Sequence, residues 1–513
     1  MVIKNYIEKN RYYDSVFLMK IARKLSESDN VENASIGMGT PLNKETITDL
    51  GLNTEDLKNA GPNDLIIAIK AKDDASFDKA IEEFYRLVNE KTTASKNSYQ
   101  SIPSAKNANP DANLAIISVA GKFAALEARR ALMNDMNVFM FSDNVDIKDE
   151  VELKKLAIEK GKFMMGPGCG LSFINGVAIG LCSMVNRGDI GIVGASGSGI
   201  QEVMVLLHRN GFGISHAIGT GGRDLSDEVG GATMIQSIKA LEEDEGTKII
   251  ALISKPPSKS AFIKVIDEIK KCKKKVVVHF LNGDNNLLKE NGILYGETFD
   301  ETANILMELS SGKKIEPKKI FEDELNIDEE IKKFKPGQKY LRAILCGGAL
   351  TDETLIYWNK NGKDLYSNVA LNDNLMLKDP FTSYKNSIID IGDEAFTKGR
   401  AHVAIDPTAR VNRFIKEARD KETSVIYLDF LLGYALHPDP ASVMAKAITE
   451  EKERAKKEGR NLVVIATICG SDLDPQDFYK QAKILKDAGV ILFDTNFIAA
   501  KNAFEIINKL EER

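Results

Sequence analysis

The residues with the clearest chemical potential lie between Asp189 and Asp224, in the stretch DIGIVGASGSGIQEVMVLLHRNGFGISHAIGTGGRD. An apolar strand, Ile190 to Val193, runs into Gly194-Ala195-Ser196-Gly197-Ser198-Gly199, and a helical pattern follows with Val203, Leu206 and Leu207 on one face. A second short strand ends at Ile218 and meets Gly219-Thr220-Gly221-Gly222-Arg223-Asp224. A glycine-rich turn between strand and helix can present backbone N–H groups and a positive helix end to an anion. Gly194, Ser196, Gly197, Ser198 and Gly199 are therefore candidate phosphate ligands, with Gly219, Thr220, Gly221 and Gly222 as a second cradle. The bland alternative is that such turns merely close the tight corners of a doubly wound sheet. Arg223 is the candidate catalytic cation, because guanidinium suits phosphate and carboxylate; the competing reading pairs it with Asp224 or Asp227. Ile200-Gln201 stands where a P-loop needs Lys-Ser/Thr, which argues against a Walker-type nucleotidase.

These turns need a sheet on which to sit, and the chain alternates strand and helix patterns almost throughout. Strands are expected at 34–38, 64–69, 114–119, 138–142, 163–165, 190–193, 214–218, 248–253 and 275–280, and again at 341–346, 387–391, 424–429, 462–466 and 490–493. Helix starts are expected near Asp406-Pro407, Asp439-Pro440 and Asp474-Pro475, where Asp suits the N-cap and Pro the first turn. Two polar stretches, 89–113 and 310–339, read as linkers. The resulting division is a Rossmann-like unit over 1–166, a flavodoxin-like unit over 167–310, a charged linker over 311–339 and a second flavodoxin-like unit over 340–513. The predicted fold class is α/β, built on parallel sheets.

Bulk composition narrows the function classes. A chain of 513 residues is too long for one core, and its 43% apolar and 28% charged content is ordinary for a globular protein. A net charge of −6 gives no electrostatic case for nucleic acid or an anionic membrane. No apolar run is long enough to cross a bilayer, the N-terminus lacks a signal-peptide core, and the five cysteines show no CxxC spacing. The expectation is a cytoplasmic protein with no metal. Cys169 and Cys346 sit at glycine turns and could be nucleophiles, although small residues in tight corners account for them more simply.

The segments GPGCG, INGVAIG and GDIGIVGASGSGIQEV resemble the α subunit of succinyl-CoA synthetase, with HAIGTGGRD at the position of that subunit's IGGD turn. SVIYLDFLLGYALHPDPASV and LVVIATICGSDLDPQDF resemble the ligase domain at the end of the β subunit. Across nearly its whole length the chain is similar to the FdrA family, through SDNV (142–145), GASGSGIQE, HAIGTGGRDLSDEVGG, SKPP (254–257), IDIGDEAFTKGR and HVAIDPTAR. The chain departs from the synthetase pattern. No histidine occurs in NLLKENGILYGETFDETA, where the phosphate-carrying loop should lie, and Lys255-Pro256-Pro257 replaces the expected glutamate. A nucleotide-grasp domain is also missing. The resemblance makes 1–166 a CoA-binding-type domain and 167–310 and 340–513 succinyl-CoA synthetase-type domains; Gly37-Met38-Gly39-Thr40 is the nearest candidate for a CoA pyrophosphate loop, with an ordinary turn as the alternative.

The FdrA resemblance implies a subunit of an oxamate carbamoyltransferase in allantoin catabolism, exchanging carbamoyl phosphate plus oxamate with oxalurate plus phosphate. It implies partner subunits, an oligomer and no required cofactor, CoA remaining an alternative ligand. On this reading Arg400 and His402 join Arg223 as catalytic candidates, and His216, Asp406, Arg410, Gly347 and Gly348 as substrate-binding ones. For His216 a core histidine is the alternative, and for Arg400, His402 and Arg410 a loop of solvated charges. His437 is expected to be structural, and Asp439 and Asp474 to cap helices rather than join Asp472 on a metal. The competing functions are an acyl-CoA synthetase variant and a non-catalytic metabolite-binding scaffold.

Overall fold

The strand runs Ile249–Ser254 and Val276–Phe280 are apolar at nearly every position and buried on both faces, the pattern of central parallel strands. They belong to a seven-stranded sheet, ordered Leu294–Tyr295, Lys275–Phe280, Ile249–Ser254, Arg187–Gly194, Ile214–Gly219, Leu171–Ile174 and Val177–Gly180. Its first five strands are parallel, and the last two form an antiparallel hairpin at one edge. A second, wholly parallel sheet is ordered Tyr366–Ser367, Ser387–Asp390, Tyr340–Leu345, Thr423–Leu431, Val463–Cys469 and Ile491–Phe493. The protein is thus α/β with parallel sheets. This computed structural model describes every residue except 12, 14, 27, 29, 95–98, 322–324 and 398–400.

The two large sheets share a core. Val203 and Leu207 of the helix Gly197–Arg209, Phe299 of the helix Phe299–Ser311, and Leu350 and Trp358 of the helix Gly348–Lys360 are buried in one apolar cluster. Each such side chain contributes about 1.5–3 kcal/mol on burial, and the packing fixes the three helices against each other. A smaller parallel sheet, Leu114–Ile117, Asn137–Met140 and Met164–Met165, precedes the seven-stranded one.

The first stretch divides differently from the expected 1–166. Met1–Gln100, with Thr397–His402, forms its own compact unit, and Ser101–Phe396 with Val403–Arg513 forms the other. The sheet of the first unit is antiparallel, in the order Val2–Glu8, Leu65–Ala71, Val31–Met38. The strand Val2–Glu8 escapes a sequence reading because its alternation is broken by Lys4 and Asn5. Of the two expected linkers, 89–113 receives the end of the helix Asp74–Ala94 and holds the helix Ile102–Ala108, capped by Ser101, and 311–339 holds the helix Ile327–Lys333. Asp439 caps the helix Pro440–Lys457 as expected. Asp474 does not cap one: the next helix starts at Phe478 under Asp477. Asp474 instead accepts hydrogen bonds from Met184 and Ser471 N–H, tying the two large sheets together.

Candidate functional site

The first glycine turn is open. Ser196 is the extended N-cap of the helix Gly197–Arg209, and its side chain makes no capping bond. Among the described residues no acceptor meets the first-turn N–H groups of Gly197, Ser198 and Gly199, which a helix cannot satisfy internally. Gly194 is a packing residue, since a Cβ there would lie 2.1 Å from Ile253 O, whereas a Cβ on Gly197 would meet only Leu171 at 4.0 Å.

A second helix N-terminus converges on this turn from the other large sheet. The strand Tyr340–Leu345 runs through Cys346-Gly347 into the helix Gly348–Lys360. Ser198 Oγ accepts from Ala349 N–H at 3.1 Å, and a Cβ on Gly347 would lie 3.1 Å from Ser198 Cβ. Not all of the turn is free. The N–H groups of Cys346 and Gly347 donate to the two carboxylate oxygens of buried Asp429, each at 2.8 Å. Arg410, also buried, donates to Asp429 at 2.9 Å and to Ile344 O at 3.0 Å. Gly347 and Arg410 are therefore spent on an internal carboxylate rather than held out for substrate; Gly348 stays at the opening.

Three further charged residues complete the site. Lys255 follows the strand Ile249–Ser254, in which Ile253 pairs with Gly194, so it lies beside the open turn. Its ammonium bridges to Asp352 of the helix Gly348–Lys360 at 3.2 Å, across the seam between the sheets. Asp390 ends the strand Ser387–Asp390 and pairs with Leu345, which places it beside the second turn. Its Oδ1 accepts from Gly392 N–H at 2.9 Å, and its Oδ2 would lie 3.0 Å from a Cβ on Gly348. Burial pushes Asp390 up to about 7; Lys255 and the Gly392 N–H oppose the shift, and Asp352 and Asp393 add to it. Burial raises Asp352 as well, against the pull of Lys255. For Lys255, burial disfavours the charge, but Asp352, Asp390 and Asp393 outweigh it and raise the pKa. Two buried hydroxyls on the same elements, Ser254 Oγ and Thr351 Oγ1, have no hydrogen-bond partner. The signal available in the sequence was positional: Lys255, Cys346 and Asp390 all sit at strand C-terminal ends, where open α/β sheets bind ligands.

The second glycine turn is closed. Gly219 N–H donates to Ser172 Oγ, and the N–H of buried Thr220 donates to Gly194 O. A Cβ on Gly219 would meet Leu171 O at 2.4 Å and one on Gly221 would meet Pro167 O at 2.4 Å; only Gly222 has open space. No helix follows directly, because the next one, Ala232–Glu243, starts beyond an intervening turn. Asp224 caps that helix through Thr233 and Met234 N–H, and it holds buried Lys154 at 2.6 Å. Arg223 pairs with Glu150 at 2.8 Å and donates to Val145 O, so its partner is neither Asp224 nor Asp227.

The remaining candidates scatter. His216 accepts from Asn175 N–H, lies 3.7 Å from Asp244 and lines a separate cavity of about 240 Å³; burial lowers its pKa. Asp406 bonds Thr408 N–H and Oγ1 at the start of the helix Thr408–Arg419. His402 is half-buried, is already engaged and groups with the N-terminal unit. Arg400 lies outside the described residues. Cys169 and Cys346 are buried thiols, Cys169 pushed up to about 12 and Cys346 well above its usual range, both by burial, so neither is a ready nucleophile. His437 is buried and accepts from Asp439 N–H, a structural role. Asp472 meets His208 at 2.6 Å. At Gly39 a Cβ would lie 2.2 Å from Gly61 O, and Thr40 caps the helix Pro41–Asp49, so Gly37–Thr40 is a packed turn. A buried imidazole, His279, lies against Phe299, with Nδ1 on Gly296 O and Nε2 unpartnered; burial drops it to about 4.

Three family models match the chain. Residues 185–283 match a CoA binding domain, 344–505 a CoA-ligase, and 1–103 the AllF, heavy metal-associated domain. The CoA binding match falls on the seven-stranded sheet, not on 1–166, where the sequence resemblance puts a CoA-binding-type domain, and the CoA-ligase match falls on the six-stranded sheet. The chain is 43% identical to the uncharacterised Escherichia coli protein YahF over the full length of both, and it belongs to that protein's family. It is 29% identical to the succinate–CoA ligase [ADP-forming] α subunit of Staphylococcus epidermidis, over 36% of this chain and 61% of that one. Among solved structures, ATP citrate lyase from Methanothrix soehngenii matches with a TM-score of 0.37 and 19% identity, over 46% of this chain and 45% of that one. The metal in the first domain's description does not fit this chain. Residues 1–103 contain neither cysteine nor histidine, the donors a soft metal needs. Among the described residues no group of three or more His, Cys, Asp or Glu could hold a metal ion. No described helix is long and apolar enough to cross a membrane.

Proposed function

We propose that the chain is an FdrA-type subunit of a carbamoyl-transferring enzyme and that its open turn holds the phosphate of carbamoyl phosphate. One observation carries this reading: the unpaired N–H groups of Gly197, Ser198 and Gly199 converge with the helix N-terminus at Gly348, beside the Lys255 ammonium. Such donors are aimed at an oxyanion and are strongest where water is scarce. In the transfer, the carbamoyl carbon leaves the phosphate oxygen for the nitrogen of oxamate, giving oxalurate and phosphate. The protein's part is to hold the phosphate while negative charge collects on it. No nucleoside triphosphate is consumed and no cofactor is required. The match to the AllF domain model supports placing the chain in allantoin catabolism. Partner subunits and oligomerisation belong to the same proposal.

The test is phosphate release from carbamoyl phosphate by the chain with its partner subunits. Release that depends on oxamate supports the reading, and none with every component present rejects it. A second reading, a CoA-binding acyl-CoA synthetase relative, draws on the CoA binding and CoA-ligase matches. Calorimetric titration with CoA tests it separately, and micromolar binding would favour it.

A further inference from the structure

Lys255, Asp352 and Asp390 do something the helix ends cannot. Backbone N–H groups hold an anion, but they neither take up a proton nor supply a full positive charge. We propose that Asp390 is the proton-accepting group of this site and that Lys255 is the cation that meets the substrate's oxyanion, the two acting across the seam between the large sheets. The assignment rests on the carbamoyl-transfer reading for its chemistry and on geometry for its residues.

The geometry is symmetric in design. In each sheet a strand runs into a glycine turn and a helix N-terminus, and the neighbouring parallel strand ends on a charged residue. Lys255 follows the strand whose Ile253 pairs with Gly194, and Asp390 pairs with Leu345. Asp352 reaches back from the second helix to hold the ammonium at 3.2 Å while leaving the lysine side chain 49% exposed. Asp390 is buried, and only one of its oxygens is used, by Gly392 N–H. The other oxygen has no hydrogen-bond donor among the described residues and lies at the helix N-terminus, 3.0 Å from where a Cβ on Gly348 would be. Asp390 as a whole is only 7% exposed, but this oxygen is not sealed from solvent, so it can exchange a proton with solvent or a ligand.

The chemistry needs such a group. The amide nitrogen of oxamate is a weak nucleophile until it loses a proton. As its nitrogen forms a bond to the carbamoyl carbon, the bond from that carbon to the phosphate oxygen breaks and its electron pair leaves with phosphate. The proton lost from nitrogen passes to Asp390 Oδ2, which releases it to solvent after the product departs. Lys255 balances the charge on the departing phosphate. The groups that face Asp390 are Lys255, Asp352, Asp393 and the Cys346 thiol. With burial they bring the carboxyl to about 7, so that it exchanges a proton near neutrality.

Sulfate binding to the purified chain tests the site without requiring catalysis, because sulfate stays a dianion from pH 6 to 8.5. A protonated Asp390 adds no negative charge, so wild-type affinity should fall about tenfold as pH rises through 7. Asp390→Asn should bind with little pH dependence, and Lys255→Met should lose affinity at every pH. With partner subunits, Asp390→Asn should lower kcat by about a hundredfold or more and leave KM for carbamoyl phosphate within a few-fold. Flat sulfate binding by the wild type, or an Asp390→Asn complex with wild-type kcat and pH profile, overturns the proposal. If the wild-type complex fails to transfer carbamoyl while the sulfate titration behaves as described, the carbamoyl reading falls and the proton-linked anion site stands.

Discussion

The two glycine-rich turns, GASGSG and GTGGRD, look equivalent as strings of residues and are opposites as structures. In the first, the helix starts at once, and among the described residues its first three N–H groups have no acceptor. In the second, Thr220 N–H and Gly219 N–H are consumed by Gly194 O and Ser172 Oγ, and Asp224 fills the next helix N-terminus. The third turn, at Cys346-Gly347, lies between these cases, because Asp429 takes two of its donors and leaves the helix end at Gly348 to the site. A glycine-rich turn therefore becomes an anion site only if the chain has not already supplied the anion.

The sharpest way to separate the turns is to remove the cation under the closed one. Lys154 is buried between Glu150 at 3.1 Å and Asp224 at 2.6 Å, and it also donates to Thr220 O. Lys154→Met keeps the stem, leaves buried Asp224 without its cation and leaves buried Glu150 with Arg223 alone. Loss of about 3–5 kcal/mol is expected in denaturant unfolding. Ser196→Ala in the open turn should change stability by less than about 1 kcal/mol, because no capping bond is lost, while weakening sulfate binding.

Glycine substitutions give the next largest contrast. Gly221 has φ +88°, and a Cβ would press on Pro167 O at 2.4 Å, whereas Gly222 next to it has nothing within 4 Å. Gly221→Ala should cost about 2 kcal/mol or more, and Gly222→Ala less than about 1, as measured by thermal melting.

A third comparison concerns buried acids behind the open turn. Asp300 is pushed up to about 7 and Glu353 to about 8, both by burial; Asp300 adds to the shift of Glu353, and Glu202 and Asp494 add to that of Asp300. Glu353 accepts from Phe299 N–H and Asn496 Nδ2, and the Phe299 ring would lie 3.0 Å from a Cβ on Gly199. Both folded-state values exceed ordinary carboxyl values, so the native state binds more protons than the unfolded chain from about pH 4.5 to about 8. Stability should be fullest below this window and fall as pH rises through it, by up to about 1.4 kcal/mol per pH unit for each group. Glu353→Gln should reduce that slope by about half; an unchanged slope would show that Glu353 is ionised in the fold.

How much of this was legible in the residues depends on what each feature draws on. The strands with long β-branched runs, such as Ile249–Ser254, and the Asp439 cap follow from local pattern, and the structure has them. The antiparallel N-terminal sheet does not follow, because its first strand, VIKNYIE, gains its pairing from Leu65–Ala71, far along the chain. The strand–glycine–helix turn at Ser196–Gly199 was readable, since a helix start needs only local residues, but that it is open while GTGGRD is closed was not. The destination of each neighbouring charge was not: Arg410 finds Asp429, Arg223 finds Glu150 and Lys255 finds Asp352, all across tertiary distance. Side-chain charge marks a residue as capable of binding an anion, but only the fold decides whether that anion is internal.

Arg223 puts this point at its smallest energetic scale. It is the most conspicuous cation in the sequence pattern, and it is spent on Glu150 at 2.8 Å with a side chain 42% exposed. Glu150 keeps Lys154 when Arg223 is removed. Glu150 is buried, but the guanidinium is part-exposed and Lys154 still neutralises the carboxylate, so the loss stays near the roughly 0–1 kcal/mol of a solvent-screened pair. Arg223→Gln should therefore shift unfolding by no more than about 1 kcal/mol and leave sulfate binding at the open turn within about twofold. A large loss of affinity in this variant would mean that the guanidinium leaves Glu150 when an anion arrives. The distinction between an open and a closed turn would then describe only the unliganded protein.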